Sequence, residues 1–210
     1  MPFPAKPSQV DICNMALGHL KCRKIASMAE NSVEAVAANE YWDPARRLTL
    51  AGHDWEFATV TKLLALSATY PTQGPNDLYD ARWTYAYATP ANAVAVWHVY
   101  NEQTKDKSVG EDFRSVYDDT NNQLIILTNC ADAYGEYTFD LSDTTLWNAN
   151  FVDAMSLILA AKMAPQLTGD DSIGDSLLKK GLIATSEAER MSSYESQITE
   201  TKSSSYEDAR

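Results

Sequence analysis

The sequence predicts an α+β protein: a helical bundle formed by N- and C-terminal helices, with an antiparallel β-meander inserted between them. Apolar residues recur at helical spacing near the N-terminus and again after residue 150, whereas short aromatic and β-branched runs fill the middle. Proline, glycine and asparagine at 70–82 indicate a surface loop where the pattern changes. Four regions follow: a helical half at 1–70, an inserted β subdomain at 71–147, a second helical half at 148–191 and an extended C-terminal arm at 192–210.

The first helix is predicted from its cap and its apolar stripe. Ser8 and Asp11 have the spacing of a capping box, and the helix dipole favours an acid in the first turn. Four residues then follow the i, i+3, i+4, i+7 spacing of one buried face, namely Cys13, Ala16, Leu17 and Leu20. The chain has three cysteines, an odd number in apolar contexts, which favours buried free thiols over disulfides.

A second helix is predicted to begin at Asn31 or Ser32, with Glu34 in its first turn. The face that we expect it to bury comprises Val33, Val36, Ala37 and Tyr41. Pro44 is expected to kink or end this helix, because proline lacks a backbone donor and crowds the preceding turn. The segment 55–66 that follows fits either a further helix or an extended arm.

Runs of β-forming residues predict four or five strands in the middle of the chain. The clearest runs are 83–87, 94–99, 124–127 and 134–139. Asn121 and Asn122 have the composition of a hairpin turn between two of them.

Helical spacing resumes in the last third of the chain. A helix with an apolar face from Phe151 to Met163 is expected to end near Pro165, and a last helix is expected to begin at Ser172. Its inner face should consist of Leu177, Leu178, Gly181 and Ala184. Residues 192–210 carry few apolar side chains, so we expect an arm that is mobile unless a partner holds it.

The net charge of −12 is concentrated in the middle of the sequence. Residues 71–147 hold twelve acids and four bases, whereas residues 1–70 hold seven of each. Phosphate affinity depends on lysine and arginine, so a chain without a basic stripe is poorly suited to grip nucleic acid, and we expect DNA to pass without specific binding. No apolar run of about 18 residues could span a bilayer, and residues 1–20 lack the pattern of a signal peptide. We therefore expect no membrane contact and synthesis in the cytoplasm.

Nucleotide-binding, zinc-protease and serine-hydrolase motifs are missing, so the sequence predicts neither an enzyme nor a cofactor or metal site. Three sets of side chains have identities suited to chemistry: Cys13 with His19 and Cys22, His53 with Asp54 and Glu56, and Glu40 with Asp43. The first set lacks a usual zinc spacing and shares a residue with an apolar stripe. The histidine of the second fits a side chain bonded to the last carbonyls of a helix, and the third fits a solvated helix face.

Large aromatic residues could form a stacking platform for sugars or bases. They are Trp42, Trp55, Phe57, Trp83 and Trp97. No polar or basic set accompanies them to orient a ligand, so we interpret them as structural residues that lock two subdomains together.

An ordered series of short motifs extends along much of the chain. The patterns I-x-N-x-A-L and I-x-S-x-x-E are met by Ile12, Asn14, Ala16, Leu17, Ile25, Ser27 and Glu30. The second helix then offers Ala35, Tyr41 and Arg46, and W-x-F-A at 55–58, W-T-Y-A-Y at 83–87 and an alanine-rich helix at 151–165 follow. In this order the series resembles the tail tubular protein A family of short-tailed bacteriophages. The sequence departs from the family's pattern at two positions. Cys22 lies near the position where the family usually has glycine, and Asp54 lies where the family has proline directly before the W-x-F-A motif.

The resemblance implies a structural adaptor of a phage virion that joins the portal to the tail nozzle as a ring around the DNA channel. Its partners would be the portal protein, the nozzle protein (tubular protein B) and further copies of itself in a dodecameric ring, located in the tail or neck of the virion. Two alternatives stay open. One is a muralytic tail enzyme with Glu40, Asp43 or Glu56 as its acids, and the other is a minor capsid or tail assembly factor that forms no ring.

The C-terminal arm carries three isolated apolar anchors, Tyr194, Ile198 and Tyr206. Widely spaced anchors on a polar segment are typical of a chain that folds on binding. Because the C-terminal region of the resembling family meets the portal, the resemblance assigns these three residues to portal binding. The alternative is a solvated terminus without a partner.

Overall fold

A computed structural model describes residues 6–67, 83–101, 110–119 and 121–195, with side chains up to residue 188. Within these ranges the chain forms four α-helices and six β-strands, which confirms the α+β class. The helices are α1 (Gln9–His19), α2 (Val33–Leu50), α3 (Ala149–Thr168) and α4 (Asp171–Glu195). The strands are β1 (Thr59–Leu63), β2 (Tyr85–Ala88), β3 (Ala93–Tyr100), β4 (Phe113–Asp118), β5 (Gln123–Thr128) and β6 (Tyr134–Phe139).

The strands form two small antiparallel sheets rather than the predicted meander. In the described ranges the strand orders are β1-β6-β3 and β2-β5-β4, so the last strand lies between the first and the third. Strand β1 precedes residue 71 and therefore lies in the segment that was assigned to the first helical half. The meander was wrong because a strand-forming run in a sequence does not identify its partner strand, and among the described strands only β4 and β5 are both consecutive and paired.

The turn between β4 and β5 agrees with the sequence. Asn122 has a φ of 51°. The next residue, Gln123, is the first of β5 and pairs with Asp118, the last residue of β4. Asparagine tolerates this left-handed conformation better than most residues. The predicted loop at 70–82 lies outside the described residues.

The helical core is built around α3, against which α1, α2 and α4 each pack. Helix α1 begins as predicted, with Asp11 N donating to Ser8 Oγ at 3.2 Å and Ser8 N donating to Asp11 Oδ2 at 2.9 Å. The predicted stripe of α1 is buried. Helix α3 continues past Pro165 to Thr168 and is closed by Gly169, whose φ of 68° is left-handed.

Helix α2 differs from its prediction in its buried face and in its length. Val33 and Val36 are exposed, and Tyr41 is half-buried. From residue 33 to residue 45 the buried side consists of four alanines and one tryptophan, namely Ala35, Ala37, Ala38, Trp42 and Ala45. Alanine permits close helix packing, so here small size decided the buried face over hydrophobicity. Pro44 does not end α2, because it lies on the exposed side of the helix, where water can solvate the carbonyl that it displaces.

Helices α3 and α4 approach closely where α4 carries glycine. A methyl group at Gly174 would lie 3.0 Å from the carbonyl oxygen of Ala161, and one at Gly181 would lie 2.7 Å from Cγ1 of Ile158. Of the predicted inner face of α4, Leu177 and Gly181 are buried. The helix begins one residue before Ser172 and reaches Glu195, which is inside the range assigned to the C-terminal arm.

We expect Gly181→Ala to lower the free energy of unfolding by about 1–2 kcal/mol, because the methyl group would overpack the contact with Ile158. Gly18→Ala is the matched control. Gly18 lies in α1 with no atom near the added methyl, so this variant should be stabilised by up to about 1 kcal/mol through helix propensity. Urea unfolding of both variants measures the two effects. Stabilisation of both would show that α3 and α4 are not in close contact at Gly181.

Candidate functional site

Arg46 is a buried cation that joins the helices to the β-strands. Its side chain on α2 is only 5 % exposed. Nη1 donates to Oδ1 of Asp140, directly after β6, and to the carbonyl oxygen of Leu141 at 3.2 Å. Nε and Nη2 donate to Oδ1 of Asp43 at 3.2 and 3.1 Å. Arg47 contacts the second oxygen of Asp140 at 2.8 Å, so two cations share this carboxylate.

An aromatic cluster connects the end of α2 to the start of α3. Phe151 lies at its centre, with ring centroids 4.7 Å from Trp147, 5.0 Å from Trp55 and 5.2 Å from Phe57. Trp42 stacks on Trp147 at 5.8 Å. These near-perpendicular and stacked contacts are favourable ring geometries in protein interiors. The cluster therefore has the structural role that the sequence predicts for Trp42, Trp55 and Phe57.

The two remaining tryptophans of the predicted set are half-buried; Trp97 lies in β3, and Trp83 lies two residues before β2. Trp97 Nε1 donates to Thr138 Oγ1 at 2.8 Å, across the pair of strands β3 and β6. Trp83 packs against the small cluster of Ala86, Ile125 and Leu127. Neither contacts the aromatic cluster around Phe151 among the ring contacts of the described residues.

The connector between α1 and α2 is fastened to α1 by an asparagine. Asn14 Nδ2 donates to the carbonyl oxygen of Ile25 at 2.9 Å, and Ile25 N donates to Asn14 Oδ1 at 2.8 Å. Glu30 then accepts from Ala26 N at 2.9 Å and from Arg23 at 2.6 Å. The pKa of Glu30 is lowered, chiefly by the hydrogen bond from the Ala26 backbone. The two motif residues Asn14 and Glu30 thus hold a segment without regular secondary structure in one conformation.

The position at which α1 would favour glycine is Lys21 rather than Cys22. Lys21 has a φ of 58°, and its N–H and that of Cys22 donate back to Gly18 and Leu17 at 3.1 and 3.0 Å. This pattern is the Schellman closure of a helix, which usually has glycine at the left-handed residue. Lys21, one residue before Cys22, therefore occupies the left-handed position of this closure.

The candidate metal set is divided among three different partners. Cys13 Sγ contacts Met28 Sδ at 3.7 Å, His19 Nε2 contacts Ser156 Oγ at 3.3 Å, and Cys22 Sγ contacts the carbonyl oxygen of Leu20. Burial raises the pKa of the Cys13 thiol to about 12, so this sulfur is not a ready thiolate ligand. Within the described ranges, no group of three or more potential ligands is suited to hold a metal ion.

The candidate acid–base residues also have structural or solvated surroundings. His53 Nδ1 lies 3.0 Å from Asp54 Oδ1, and its ring packs edge-on against Trp55. The interaction predicted between His53 and the last carbonyls of α2 is wrong, because His53 Nδ1 faces Asp54 and Nε2 has no hydrogen-bond partner among the described residues. Trp55 Nε1 donates to one of these carbonyls, that of Thr49. Glu56 is exposed.

Glu40 and Asp43 are exposed on the outer side of α2. Asp43 already accepts two hydrogen bonds from Arg46. A general acid acts in a site that excludes water, and an exposed helix face does not provide such a site.

Two features of the site were not anticipated from the sequence. The first is the partner of Arg46, since Asp140 lies far from it in the chain and carries no local signal. The second is Glu136, a buried carboxylate on β6 that accepts from the Tyr100 hydroxyl at 2.5 Å and lies 3.9 Å from His98 Nδ1. Glutamate in a strand of alternating aromatics gives no indication of burial.

The proposed portal anchors lie at the edge of the described chain. Tyr194 belongs to the last turn of α4 by its backbone, and its side chain is not described. Ile198 and Tyr206 lie outside the described residues. Of the three residues that the resemblance assigns to portal binding, the structure therefore describes only the backbone of Tyr194.

Comparison with protein-family models and with curated proteins finds no match to the chain. No helix within the described residues has both the length and the apolar character needed to cross a membrane.

We expect Arg46→Met to lower the free energy of unfolding by about 3 kcal/mol, because it leaves Asp43 and Asp140 without their buried partner. Arg47→Met removes an exposed cation from the same carboxylate and should cost less than about 1 kcal/mol. Denaturant unfolding of both variants at equal pH and salt compares the two. Equal costs would show that Arg46 does not link α2 to the segment after β6.

We expect Cys22 to react with iodoacetamide faster than Cys13 or Cys130 in the native protein. Cys13 and Cys130 are buried, whereas Cys22 is half-buried, and alkylation requires an accessible thiolate. Peptide mapping by mass spectrometry after brief labelling near pH 8 measures the order. Labelling in denaturant is the control, and there the three rates should converge. If Cys13 reacted as fast as Cys22 in the native protein, the burial of Cys13 in the apolar face of α1 would be contradicted.

Proposed function

We propose that this protein is a structural adaptor of a phage virion, which joins the portal to the tail nozzle as a ring around the DNA channel. The observation that carries the proposal is the role of the motif residues in the fold. Asn14 hydrogen-bonds the segment between α1 and α2, and Arg46 joins α2 to the segment after β6. Trp55 and Phe57 pack against Phe151 of α3. Three of the residues that carry the resemblance to tail tubular protein A, namely Arg46, Trp55 and Phe57, thus join segments far apart in the chain, as an inherited framework requires.

The distribution of charge supports a channel through which DNA moves. An acidic lumen repels phosphate, so a duplex would slide rather than adhere. Residues 71–147 carry the acidic excess. Of the bases in the first 70 residues, Arg46 is occupied by Asp43 and Asp140 and is unavailable to DNA.

The partners of the adaptor are the portal protein on one side, the nozzle protein on the other and neighbouring copies within a dodecameric ring. A closed ring of identical subunits needs two different surfaces on each subunit. We expect free protein to be monomeric or weakly oligomeric, with the portal acting as a template that raises the local concentration of subunits.

In this proposal the C-terminal arm attaches the ring to the portal through Tyr194, Ile198 and Tyr206. A polar segment with a few apolar anchors is suited to bind in an extended form, with the anchors filling pockets. Because the described part of α4 extends to Glu195, a truncation that keeps all of it removes residues 196–210.

Removal of 196–210 should leave the melting temperature and the circular dichroism of the free protein nearly unchanged and abolish attachment to purified portal rings. The matched control keeps the length and charge of this segment but scrambles its order, and it should also fail to attach. Native mass spectrometry and negative-stain microscopy of mixtures with the portal measure occupancy. Full occupancy by the truncated chain would place the docking surface on the helices, and a full-length chain that never binds portal rings would refute the adaptor function.

A further inference from the structure

The outer side of α4 carries an isoleucine between two charges of opposite sign. Ile183 is 57 % exposed, and the exposed residues Lys179 and Glu187 lie four residues before it and four residues after it. Residues four apart are neighbours on one helix face, so these three side chains form one row. The side of α4 that packs against α3 carries the buried residues Gly174, Leu177, Gly181, Thr185 and Ala188. The row lies on the opposite side and therefore points away from the core.

Two further exposed residues widen this row into a surface, here called the α4 stripe, which consists of Lys179, Lys180, Leu182, Ile183 and Glu187. Leu182 is 53 % exposed and lies about 100° around the helix from Ile183, at the margin of the stripe. Among the described residues, neither lysine nor Glu187 has an ion-pair partner within its own chain. The α4 stripe thus offers an apolar pair with cations before it, an anion after it, and charges that are available to a partner.

We propose that the α4 stripes of two copies of this chain pack against each other, with the helices antiparallel and a two-fold axis beside Ile183. In this arrangement Ile183 meets the partner's Ile183 at the centre of the contact. Lys179 lies about 6 Å before Ile183 along the helix and Glu187 about 6 Å after it, so each Glu187 is level with the partner's Lys179. Lys180 lies within about 1.5 Å of the same level. The contact therefore has an apolar centre, and on each side of it an acid of one copy faces two bases of the other.

Asp175, the other exposed acid near the α4 stripe, does not oppose this pairing. It lies about 12 Å before Ile183 along the helix and is turned about 80° from it, at the margin of the contact. The partner's Glu187 is about 6 Å nearer to the two-fold axis, at the level of the lysines. From Asp175 to Glu187 the helix carries two acids and two bases. Two such segments are therefore neutral as wholes and do not repel each other.

The order of charges along α4 selects both the direction of the helices and a second copy as the partner. A parallel pair in register would place lysine against lysine and Glu187 against Glu187, which costs free energy. A partner with charges of one sign would complement only one end of the α4 stripe, whereas the stripe of a second copy complements both. Such a contact joins two copies and then stops, so it cannot build a head-to-tail ring and does not depend on the adaptor function. A single helix pair buries less area than a standard interface, so the dimer should be weak.

Disulfide cross-linking of full-length protein tests the position of the two-fold axis. In Ile183→Cys the two introduced thiols would lie at the axis, within reach of a disulfide, which requires Cα atoms closer than about 7 Å. Ile173→Cys is the control on the same helix, since Ile173 is also exposed and its two copies would lie about 30 Å apart. Both variants keep the three native cysteines, so their difference reports the introduced thiol. Mild oxidation followed by non-reducing electrophoresis should give much more covalent dimer with Ile183→Cys.

A charge exchange tests the pairing of Glu187 with the lysines. Glu187→Lys leaves only bases in the α4 stripe, and the double variant Lys179→Glu with Lys180→Glu leaves only acids, so each should dimerise at least about tenfold more weakly than wild type at low salt. An equimolar mixture of the two should form a heterodimer, because every base then faces an acid. Lys24→Glu is the control, an equal charge change at an exposed residue outside α4, and should dimerise like wild type. Sedimentation velocity up to millimolar concentration, with circular dichroism to verify folding, measures association.

Three outcomes would each overturn the proposal. They are a wild type that is monomeric at millimolar concentration, equal cross-linking of Ile183→Cys and Ile173→Cys, and a mixture of the two charge variants that associates no better than either alone. Association of wild type into species larger than dimers that the charge variants leave unchanged would place self-association on another surface. Because these measurements omit the portal, a failure of portal binding bears on the adaptor function alone.

Discussion

The buried pair of Arg46 and Asp140 is the constraint on which the arrangement of helices and strands depends. A guanidinium that is almost fully buried needs a partner, since an unpaired buried charge costs several kcal/mol. Asp140 is itself held, because its N–H donates to the carbonyl oxygen of Asn92 at 2.8 Å, in the turn before β3. A shift of α2 by one helical turn, about 5.4 Å, would leave the guanidinium of Arg46 without Asp140 as its partner. The pair therefore fixes where α2 lies along the sheet of β1, β6 and β3.

The aromatic cluster around Phe151 acts differently from this ion pair. It buries large apolar area at the junction of α2 and α3, so it contributes stability, but apolar contacts are not directional and tolerate small shifts. The ion pair contributes little net stability for its size and instead penalises the wrong alignment. Together they give the joint between helices and strands both strength and a defined position.

The parts of the fold that the sequence predicts correctly are those governed by neighbours in the chain. Ser8 and Ser32 cap helices because their side chains need only reach a backbone N–H three residues away. The turn at Asn122 is equally local. The stripe of α1 was predictable because large apolar residues mark it. The face of α2 was not, because the alanines that pack closely are less hydrophobic than the valines that remain outside.

Features that depend on distant partners could not be predicted from spacing. The position of β6 between β1 and β3, and the pairing of Arg46 with Asp140, are set by tertiary contacts with no local pattern. The candidate site shows the same division. Residues of the motif series could be named, whereas the contacts that explain their roles became visible only in the folded chain.

The glycine contacts of α4 also determine how the protein would bear mechanical load. Helices α3 and α4 run antiparallel, since Gly174 lies beside Ala161 and Gly181 beside Ile158. Helix α4 has 25 residues and α3 has 20, so α4 is longer by about 7.5 Å at 1.5 Å per residue. A pull on the C-terminal end of α4 along its axis would therefore load the α3–α4 contact in shear. In shear, many residue pairs resist together instead of separating one after another.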